Sequence, residues 1–329
     1  MSLEKIIVVA HAGSISGGNE CMHQFAKSIK DNGIRCHMYY YGEDREKIKK
    51  TQNFFAHYQV PVSSRLEDKE NVLIILPEVL ARLSDNFKES KVSIFWLSVD
   101  NFFPLRRKNL IRDFVNYFNI RRNRPSIRSL KHYIHLSQSS YSSSFLEKNG
   151  FKYYFIGDYI NDDFVQESIK TERVKNQKNQ VCFNPAKGKK FVKALMNVMP
   201  DTRFIPLINM SRNEVINTLA KSKIYIDFGH HPGKDRIPRE AALMDCCIIT
   251  STRGSAGNDT DIPISGEYKF SVKQESLIGV KQKILEIFPN YDQHIKNFSF
   301  YKSKIINERK TFDSDVKDFC INLGLISKK

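Results

Sequence analysis

Short apolar runs alternate with longer amphipathic stretches along most of the chain, a pattern that predicts strands alternating with helices. In the first part of the chain the predicted strands lie at 5–10, 34–41, 71–76, 91–97, 132–136 and 152–156. In the second part they lie at 181–183, 202–207, 224–228 and 246–250. Continuous apolar runs separated by helices are typical of parallel sheets covered on both faces. The predicted fold class is therefore α/β, with two doubly wound, Rossmann-like domains facing a cleft.

A polar, lysine-rich segment at 167–180 interrupts the alternation and is the best candidate for an interdomain linker. We therefore predict a first domain at 1–166 and a second at 181–310. The chain from 271 onward shows no further convincing strand and is predicted to be helical. Its last part, 311–329, is predicted to be a helix that crosses back to the first domain.

The second part contains the densest candidate chemistry, in the loop and helix that follow the predicted strand at 224–228. Asp235 is a candidate N-cap of that helix. In open α/β sheets such a loop lies at the carboxyl end of a strand, where ligands bind. Cations there suit a phosphate group, and a lone acid, Glu240, suits a sugar hydroxyl. The cations are Lys234, Arg236 and Arg239. The alternative is an ordinary solvated basic loop with a surface glutamate.

Three loops in the first part supply further candidates. Gly17 and Gly18 follow the first predicted strand and allow a backbone to approach a phosphate or sugar closely, although a plain tight turn is the alternative. They do not form the GxGxxG dinucleotide motif. Asp100 follows the strand at 91–97 at the same edge of a parallel sheet, as a candidate carboxylate or a turn former. His11 ends the first strand and is a second candidate base.

The segment 105–131 is strongly basic and also carries the apolar stripe of a helix. Such a helix would suit the surface of the protein that binds the acceptor or the membrane, where it would contact anionic lipid headgroups. An ordinary helix that packs on its own sheet, with solvated arginines, is the alternative. The arginines singled out for this surface are Arg106, Arg107, Arg121 and Arg122.

The composition of the chain limits which partners the protein is expected to bind and where in the cell it is expected to lie. The 329 residues carry a formal net charge of +16, which suits a phosphorylated substrate, an anionic membrane face or a nucleic acid. No nucleic-acid-binding motif is present, so we expect no nucleic-acid partner. No apolar run approaches the roughly 20 residues of a membrane span, and no export signal precedes the first strand. The six cysteines form no CxxC pair and are expected to be reduced core thiols. The expected location is the cytoplasm, with the inner face of the cell membrane as a candidate surface.

Five loops, in chain order, resemble the motifs of GT-B glycosyltransferases, especially the large retaining family of bacterial polysaccharide and lipopolysaccharide enzymes. They are Gly17-Gly18-Asn19-Glu20, Leu136-Ser137-Gln138-Ser139, Asp158-Tyr159-Ile160-Asn161, Asn184-Pro185-Ala186-Lys187-Gly188 and the block 232–250. The resemblance implies that the glycine loop approaches the donor diphosphate and that Lys187 binds it. It also implies that Glu240, as the second glutamate of a paired motif, holds the nucleotide ribose.

The chain departs from the family pattern at two places. Pro232 stands where the first glutamate of the pair is expected, and Asn184 and Pro185 occupy the ground where an arginine precedes Lys187 in the family. These departures leave the donor sugar open, as well as retention or inversion at the anomeric carbon.

The resemblance and the residues together predict a glycosyltransferase, with a nucleotide-sugar donor and a cell-surface glycan or lipid-linked acceptor of O-antigen, lipopolysaccharide or capsule type. No cofactor and no metal are expected. Asp100 or His11 is the expected general base. Besides Gly17, Gly18, Lys187 and the residues of the basic helix start, His231 and Gly233 are expected to contact the donor.

Two alternatives remain. Asp259-Thr260-Asp261 is a DxD string that would indicate a metal-dependent transferase. A non-catalytic, basic binder of an anionic polymer is the other. Metal binding by His230 and His231 is not expected, because adjacent histidines point apart and no Cys, Asp or His partner stands at ligand spacing in that loop.

Overall fold

The computed structural model describes residues 3–103, 124–169 and 178–327. The chain divides into two compact units, the first comprising residues up to Asp158 together with those from Lys310 onward, and the second comprising Tyr159–Arg309. The boundary therefore lies earlier than the predicted 166, so that the short helix at Asp162–Ser168 belongs to the second unit. Of the predicted linker at 167–180, residues 170–177 lie outside the described residues, and 178–180 already form part of a strand.

The described part of the first unit contains a six-stranded parallel sheet with strand order β2-β1-β3-β4-β5-β6. Its strands are β1 (Lys5–His11), β2 (Arg35–Tyr41), β3 (Val72–Pro77), β4 (Lys91–Trp96), β5 (Ile134–Ser137) and β6 (Tyr154–Phe155). Its helices are α1 (Gly17–Asp31), α2 (Arg45–Phe55), α3 (Val99–Phe102) and α4 (Ser140–Lys148), with 3-10 turns at Ala56–Tyr58, Glu78–Asn86 and Arg128–Leu130. The central strands are buried on both faces, as their unbroken apolar sequences predict.

The second unit contains a five-stranded parallel sheet with strand order β11-β10-β9-β7-β8. Its strands are β7 (Lys178–Phe183), β8 (Arg203–Pro206), β9 (Ser222–Asp227), β10 (Cys247–Ser251) and β11 (Lys269–Phe270). Its helices are α5 (Asp162–Ser168), α6 (Lys189–Asn197), α7 (Arg212–Ala220), α8 (Arg236–Leu243), α9 (Ser276–Ile287), α10 (Tyr291–His294) and α11 (Ser299–Ile306). Further 3-10 turns lie at Ser255–Gly257, Gly266–Tyr268 and Ile295–Phe298. The last helix among the described residues is α12 (Glu308–Asn322).

The apolar tail of α12 packs with the first unit. The Phe319 ring lies 5.8 Å from the ring of Phe25 in α1 and 5.2 Å from that of Tyr154 in β6. Ser28 of α1 also donates a hydrogen bond to Asp313 at 3.0 Å. The part of α12 from Lys310 onward therefore belongs to the first unit, although it follows the second unit in sequence.

All ten predicted strands are present, with bounds that differ by a few residues, and the two-sheet α/β fold class is confirmed. A capping box starts α7, in which the Ser211 hydroxyl accepts from Glu214 N and the Glu214 carboxylate accepts from Ser211 N. The two-residue strand β11 was not predicted, since an isolated pair of edge residues carries no periodicity.

The six cysteine thiols are free and buried, as predicted. Within the described residues no helix combines the length and apolar character needed to cross a bilayer. The four arginines predicted for an acceptor or membrane surface, Arg106, Arg107, Arg121 and Arg122, lie outside the described residues.

Candidate functional site

The loops after β7 and β9 meet at the carboxyl edge of the second sheet. A Cβ atom added at Gly229 would lie 2.5 Å from Cβ of Lys187, which is closer than two non-bonded carbon atoms can approach. The absence of a side chain at Gly229 therefore lets the Lys187 side chain cross the end of β9. The sequence predicts that Lys187 lies in a loop, and in the structure that loop holds Lys187 against the neighbouring strand.

The loop between β9 and α8 is fastened to the chain that follows β10. Ser251 Oγ donates to Gly229 O at 2.9 Å, and Ser255 N donates to His231 O at 2.9 Å. Ser255 Oγ donates to Gly233 O at 2.5 Å. Gly233 is buried and takes part through its backbone, so the loop geometry is set by hydrogen bonds to two serines.

Four charged side chains form a network around this loop, of which those of His231 and Asp227 are buried and those of Asp235 and Lys187 are about a quarter exposed. His231 Nε2 lies 3.2 Å from Asp227 Oδ1, and His231 Nδ1 lies 2.7 Å from Asp235 Oδ2. Both contacts are short enough for ion pairs, although their angles depart from those of a good hydrogen bond. The same Asp235 oxygen pairs with Lys187 Nζ. The network therefore joins the end of β9, the start of α8 and the loop after β7.

Burial and ion pairing act in opposite directions on these groups. Burial by itself lowers the pKa of His231, but the carboxylates of Asp227 and Asp235 outweigh burial and raise that pKa to about 9. Burial raises the pKa of both carboxyls, while their contacts with His231 and with the Lys187 charge hold each pKa below its ordinary value. His231 is therefore an imidazolium, and both acids are ionised, at neutral pH.

The expectation that His231 has no acidic partner was wrong. Asp227 and Asp235 stand four residues to either side of it, and the loop folds both onto its ring. One oxygen or nitrogen from each of the three residues lies within 4.8 Å of the others, a spacing that can hold a metal ion. Each ring nitrogen, however, faces a different carboxylate, an arrangement that fits a protonated imidazole.

Asp235 occupies the N-cap position of α8, as predicted, but its side chain makes no capping hydrogen bond. The carboxylate is turned toward His231 and Lys187. The first backbone N–H groups of α8 are therefore not capped by Asp235.

Two of the predicted donor-binding cations are bound to a carboxylate from a distant part of the chain. Arg239 and Lys234 each lie 2.8 Å from Glu308 at the start of α12. Arg239 also donates from Nε to Asp235 O at 3.2 Å. Because Arg239 is fully buried, a ligand cannot touch its guanidinium in this structure. Its observed role is to tie α8 to α12, which differs from the predicted donor contact.

Arg236 and Glu240 lie on the first turns of α8 and remain partly exposed. Arg236 Nε lies 3.6 Å from Glu240 Oε1, and its Nη2 donates to Asn161 Oδ1 at 3.1 Å. Asn161 belongs to the third of the loops on which the family resemblance was based. Among the predicted charged donor-binding side chains, Lys187 is the most exposed at 24%, whereas Lys234, Arg236 and Glu240 are 12–13% exposed and Arg239 is 1% exposed.

The predicted residues of the first unit lie at the carboxyl edge of its sheet. His11 ends β1, where its ring Nδ1 lies 2.7 Å from Ala12 O, and Gly17 and Gly18 begin α1. Asp100 lies in α3, directly after β4, and accepts hydrogen bonds from Tyr141 OH at 3.1 and 3.2 Å. These placements agree with loop positions read from the sequence, and the roles of the residues stay predictions.

Glu78 is a buried acid at the same edge that sequence reasoning passed over. Its carboxylate accepts a hydrogen bond from Leu97 N at 3.0 Å, in the segment that leads to Asp100. Burial raises the pKa of Glu78 to about 7. Glu78 follows Pro77, just after a predicted strand, and this position at the carboxyl end of a strand is the feature of the sequence that could have identified it as a site residue.

Neither a protein-family model nor a curated protein sequence matches the chain. Solved structures do match it over nearly its whole length. HepE of Anabaena, solved in complex with UDP, has a TM-score of 0.63 and 11% identity, covering 98% of this chain and 100% of that one. Sucrose-phosphate synthase from Thermosynechococcus elongatus has a TM-score of 0.66 and 10% identity, covering 98% and 99%. WaaG, a glycosyltransferase involved in lipopolysaccharide biosynthesis, has a TM-score of 0.58 and 12% identity, covering 95% and 99%.

The identities are low, and the similarity is therefore one of fold. The chain has the two-domain α/β fold of GT-B glycosyltransferases, which confirms the resemblance drawn from the loop motifs at the level of architecture.

Proposed function

We propose that this protein is a glycosyltransferase that takes its sugar from a nucleotide-activated donor. The observation that carries the proposal is the placement of Lys187, held across Gly229 at the carboxyl edge of the second sheet, beside the start of α8. That edge is where open α/β sheets bind nucleotides. The solved structures of similar fold include HepE with UDP and with UDP-glucose, which supports a uridine nucleotide as the first donor to test.

The donor diphosphate is proposed to contact Lys187 and the N-terminal N–H groups of α8. Glu240 lies five residues beyond Asp235, about 7.5 Å along the helix axis, and is proposed to accept hydrogen bonds from the ribose hydroxyls. When the bond between the anomeric carbon and the phosphate oxygen breaks, negative charge develops on the phosphate. A fixed ammonium group and helix N–H dipoles stabilise that charge without reorganisation.

The acceptor hydroxyl is proposed to lose its proton to Asp100 or His11 as it bonds to the anomeric carbon. Tyr141 orients the Asp100 carboxylate, because its hydroxyl contacts both carboxylate oxygens. We propose a cell-surface glycan or a lipid-linked sugar as the acceptor, bound where the basic segment at 105–131 can contact an anionic surface. The net charge of +16 and the similarity to WaaG support this choice.

The metal-dependent alternative finds less support in the geometry. Asp259 is highly exposed and pairs with Lys269 at 2.6 Å, whereas Asp261 is buried. Among the described residues, the group that can hold a metal ion consists of Asp227, His231 and Asp235, and neither acid of the DxD string belongs to it. We therefore propose transfer without a metal bridge at that string.

The test is nucleotide binding and donor turnover with Lys187→Ala. We expect UDP to bind the wild-type chain, and a ligand at 100 times its Kd to stabilise it by about 2.7 kcal/mol in thermal denaturation. Loss of a charged hydrogen bond of about 1.5–3 kcal/mol should weaken UDP binding at least about tenfold in Lys187→Ala. Lys221→Ala, an exposed lysine just before β9 and hence at the opposite edge of the sheet, is the control. Equal affinity in Lys187→Ala and wild type would remove Lys187 from the site.

A further inference from the structure

Neither ring nitrogen of His231 reaches solvent, so this predicted donor-binding residue, like Arg239, is closed to a ligand in this structure. Its side chain is 0% exposed, and each nitrogen faces one carboxylate. A donor molecule cannot touch this ring without displacing Asp227 or Asp235. Any influence of His231 on a ligand must therefore pass through the acids that it contacts.

The network balances its charge only while His231 is protonated. Asp227 and Asp235 contribute two negative charges, and Lys187 and the imidazolium contribute two positive charges. Neutral groups also contact the network: Tyr225 OH donates to Asp227 Oδ2 at 3.1 Å, and Gly229 N donates to Asp227 Oδ1 at 2.9 Å. Arg239 is a further cation nearby, but its Nε donates to the main-chain oxygen of Asp235 at 3.2 Å and its guanidinium pairs with Glu308. Without the imidazolium, these four side chains would carry one negative charge in excess, with the Lys187 ammonium paired to Asp235.

We propose that His231 is a positioning residue that acts as the buried counter-ion of Asp235, so that the Lys187 ammonium can bind the diphosphate of a nucleotide. The proposal rests on the proposed function and deepens it. As the diphosphate approaches, Lys187 exchanges part of its contact with Asp235 for a phosphate oxygen. The His231 imidazolium then still neutralises the Asp235 carboxylate, so the phosphate does not approach an unpaired negative charge.

The sign of the effect follows from electrostatics in a buried site. A net negative charge next to the ligand repels a phosphate and also binds Lys187 more tightly to Asp235. Removing one partner of a buried ion pair leaves the other charge uncompensated, which is strongly unfavourable. A neutral side chain at position 231 should therefore weaken diphosphate binding although that side chain never contacts the ligand.

The experiment measures the affinity of the full chain for UDP and for pyrophosphate by calorimetry in four variants. His231→Gln makes the network negative by one charge and should weaken both ligands more than about thirtyfold. Asp235→Asn makes it positive by one charge and should tighten binding. The double variant Asp235→Asn, His231→Gln restores neutrality and should return to within about threefold of wild type. His230→Gln, at the neighbouring half-buried histidine, is the matched control and should leave the affinity unchanged.

A purely structural role for His231 predicts a different order, because the double variant would then be no better than His231→Gln. That result, or an unchanged affinity in His231→Gln, would overturn the proposal. If the wild type binds pyrophosphate but not UDP, and the variants keep the expected order, the nucleotide assignment fails and the role of His231 stands. If neither ligand binds the wild type, both proposals fail.

A second measurement is independent of any ligand. Nitrogen-15 NMR of the histidine side chains should show both ring nitrogens of His231 protonated at pH 7.5, with assignment from the His231→Gln spectrum. A neutral ring at that pH would contradict the proposal. So would loss of UDP affinity in EDTA with recovery on adding Mn²⁺, since a divalent cation would then supply the charge assigned to the imidazolium.

Discussion

Substitution of Arg239 by methionine tests whether this arginine binds the donor, as its sequence position suggests, or holds the second unit together, as its burial indicates. Methionine keeps most of the length of the side chain and removes the charge. The side chain of Arg239 is 1% exposed and that of Glu308 is 7% exposed, and their atoms lie 2.8 Å apart. The change therefore leaves a buried carboxylate with Lys234 as its remaining ion-pair partner from α8 and its preceding loop.

Breaking a buried ion pair by removing one partner costs about 3–5 kcal/mol. Lys234 still neutralises part of the Glu308 charge, so we expect a loss near the lower limit, about 3 kcal/mol. The hydrogen bond from Arg239 Nε to Asp235 O is also lost. Arg212→Met is the matched control, because Arg212 also pairs with an acid at 2.8 Å, Asp163, but both side chains are substantially exposed. An exposed pair of this kind contributes less than about 1 kcal/mol.

The assay is urea denaturation followed by two signals. The single tryptophan, Trp96, is buried in the first unit, so its fluorescence reports that unit and serves as an internal reference. Far-UV circular dichroism reports both units, and a two-domain chain need not unfold in one step. We expect Arg239→Met to lower the urea concentration at which the second unit unfolds. The circular dichroism signal should therefore shift to lower urea, while the Trp96 fluorescence transition stays where it is in the wild type.

Two results would refute this reasoning. A loss of less than about 1 kcal/mol in Arg239→Met would show that the buried pair is not the main contribution of the arginine. Unchanged stability together with weaker UDP binding would return Arg239 to the donor site.

Two further perturbations test individual residues. Burial raises the pKa of Glu78 to about 7 from an ordinary 4.5, so the folded state holds a proton that the unfolded chain has released, and the stability from this group is lost as the pH rises through that range. Glu78→Gln should therefore change the Trp96-monitored stability little at pH 5 and raise it by up to about 3 kcal/mol at pH 8; equal effects at the two pH values would contradict the assignment. Gly254 has φ +64°, and an added Cβ would lie 2.0 Å from His231 O, so Gly254→Ala should destabilise the second unit by at least about 2 kcal/mol. Gly266→Ala, where an added Cβ meets nothing within 4 Å, should have a small effect, and similar losses at both glycines would show that the contact with His231 is unimportant.

The pattern of apolar residues was enough to predict the two sheets because the central strands are buried on both faces over most of their length and contain continuous apolar runs. The runs at 5–10 and 224–228 correspond to β1 and β9 with shifts of one or two residues. The turn residues between strands and helices also placed Lys187 and Glu240 at a carboxyl edge, since parallel strands present all such loops on one side.

The boundary between the two units was harder to predict from the sequence. The lysine-rich composition at 167–180 suggested a linker, but the division of the chain falls before Tyr159. Composition reports where a chain is solvated, whereas a compact unit is defined by contacts between residues far apart in sequence.

The sequence by itself determined the α/β class, the two parallel sheets and the edge at which the charged residues gather, because these follow from local patterns of apolar residues and turns. Only the tertiary structure decided which charges face a ligand and which face each other. Glu308, which is 69 residues from Arg239, takes up two of the cations expected at the donor phosphates. Asp227 and Asp235 likewise enclose His231. Ion pairs form wherever folding brings opposite charges within a few ångströms away from water, and the order of residues along the chain does not encode that proximity.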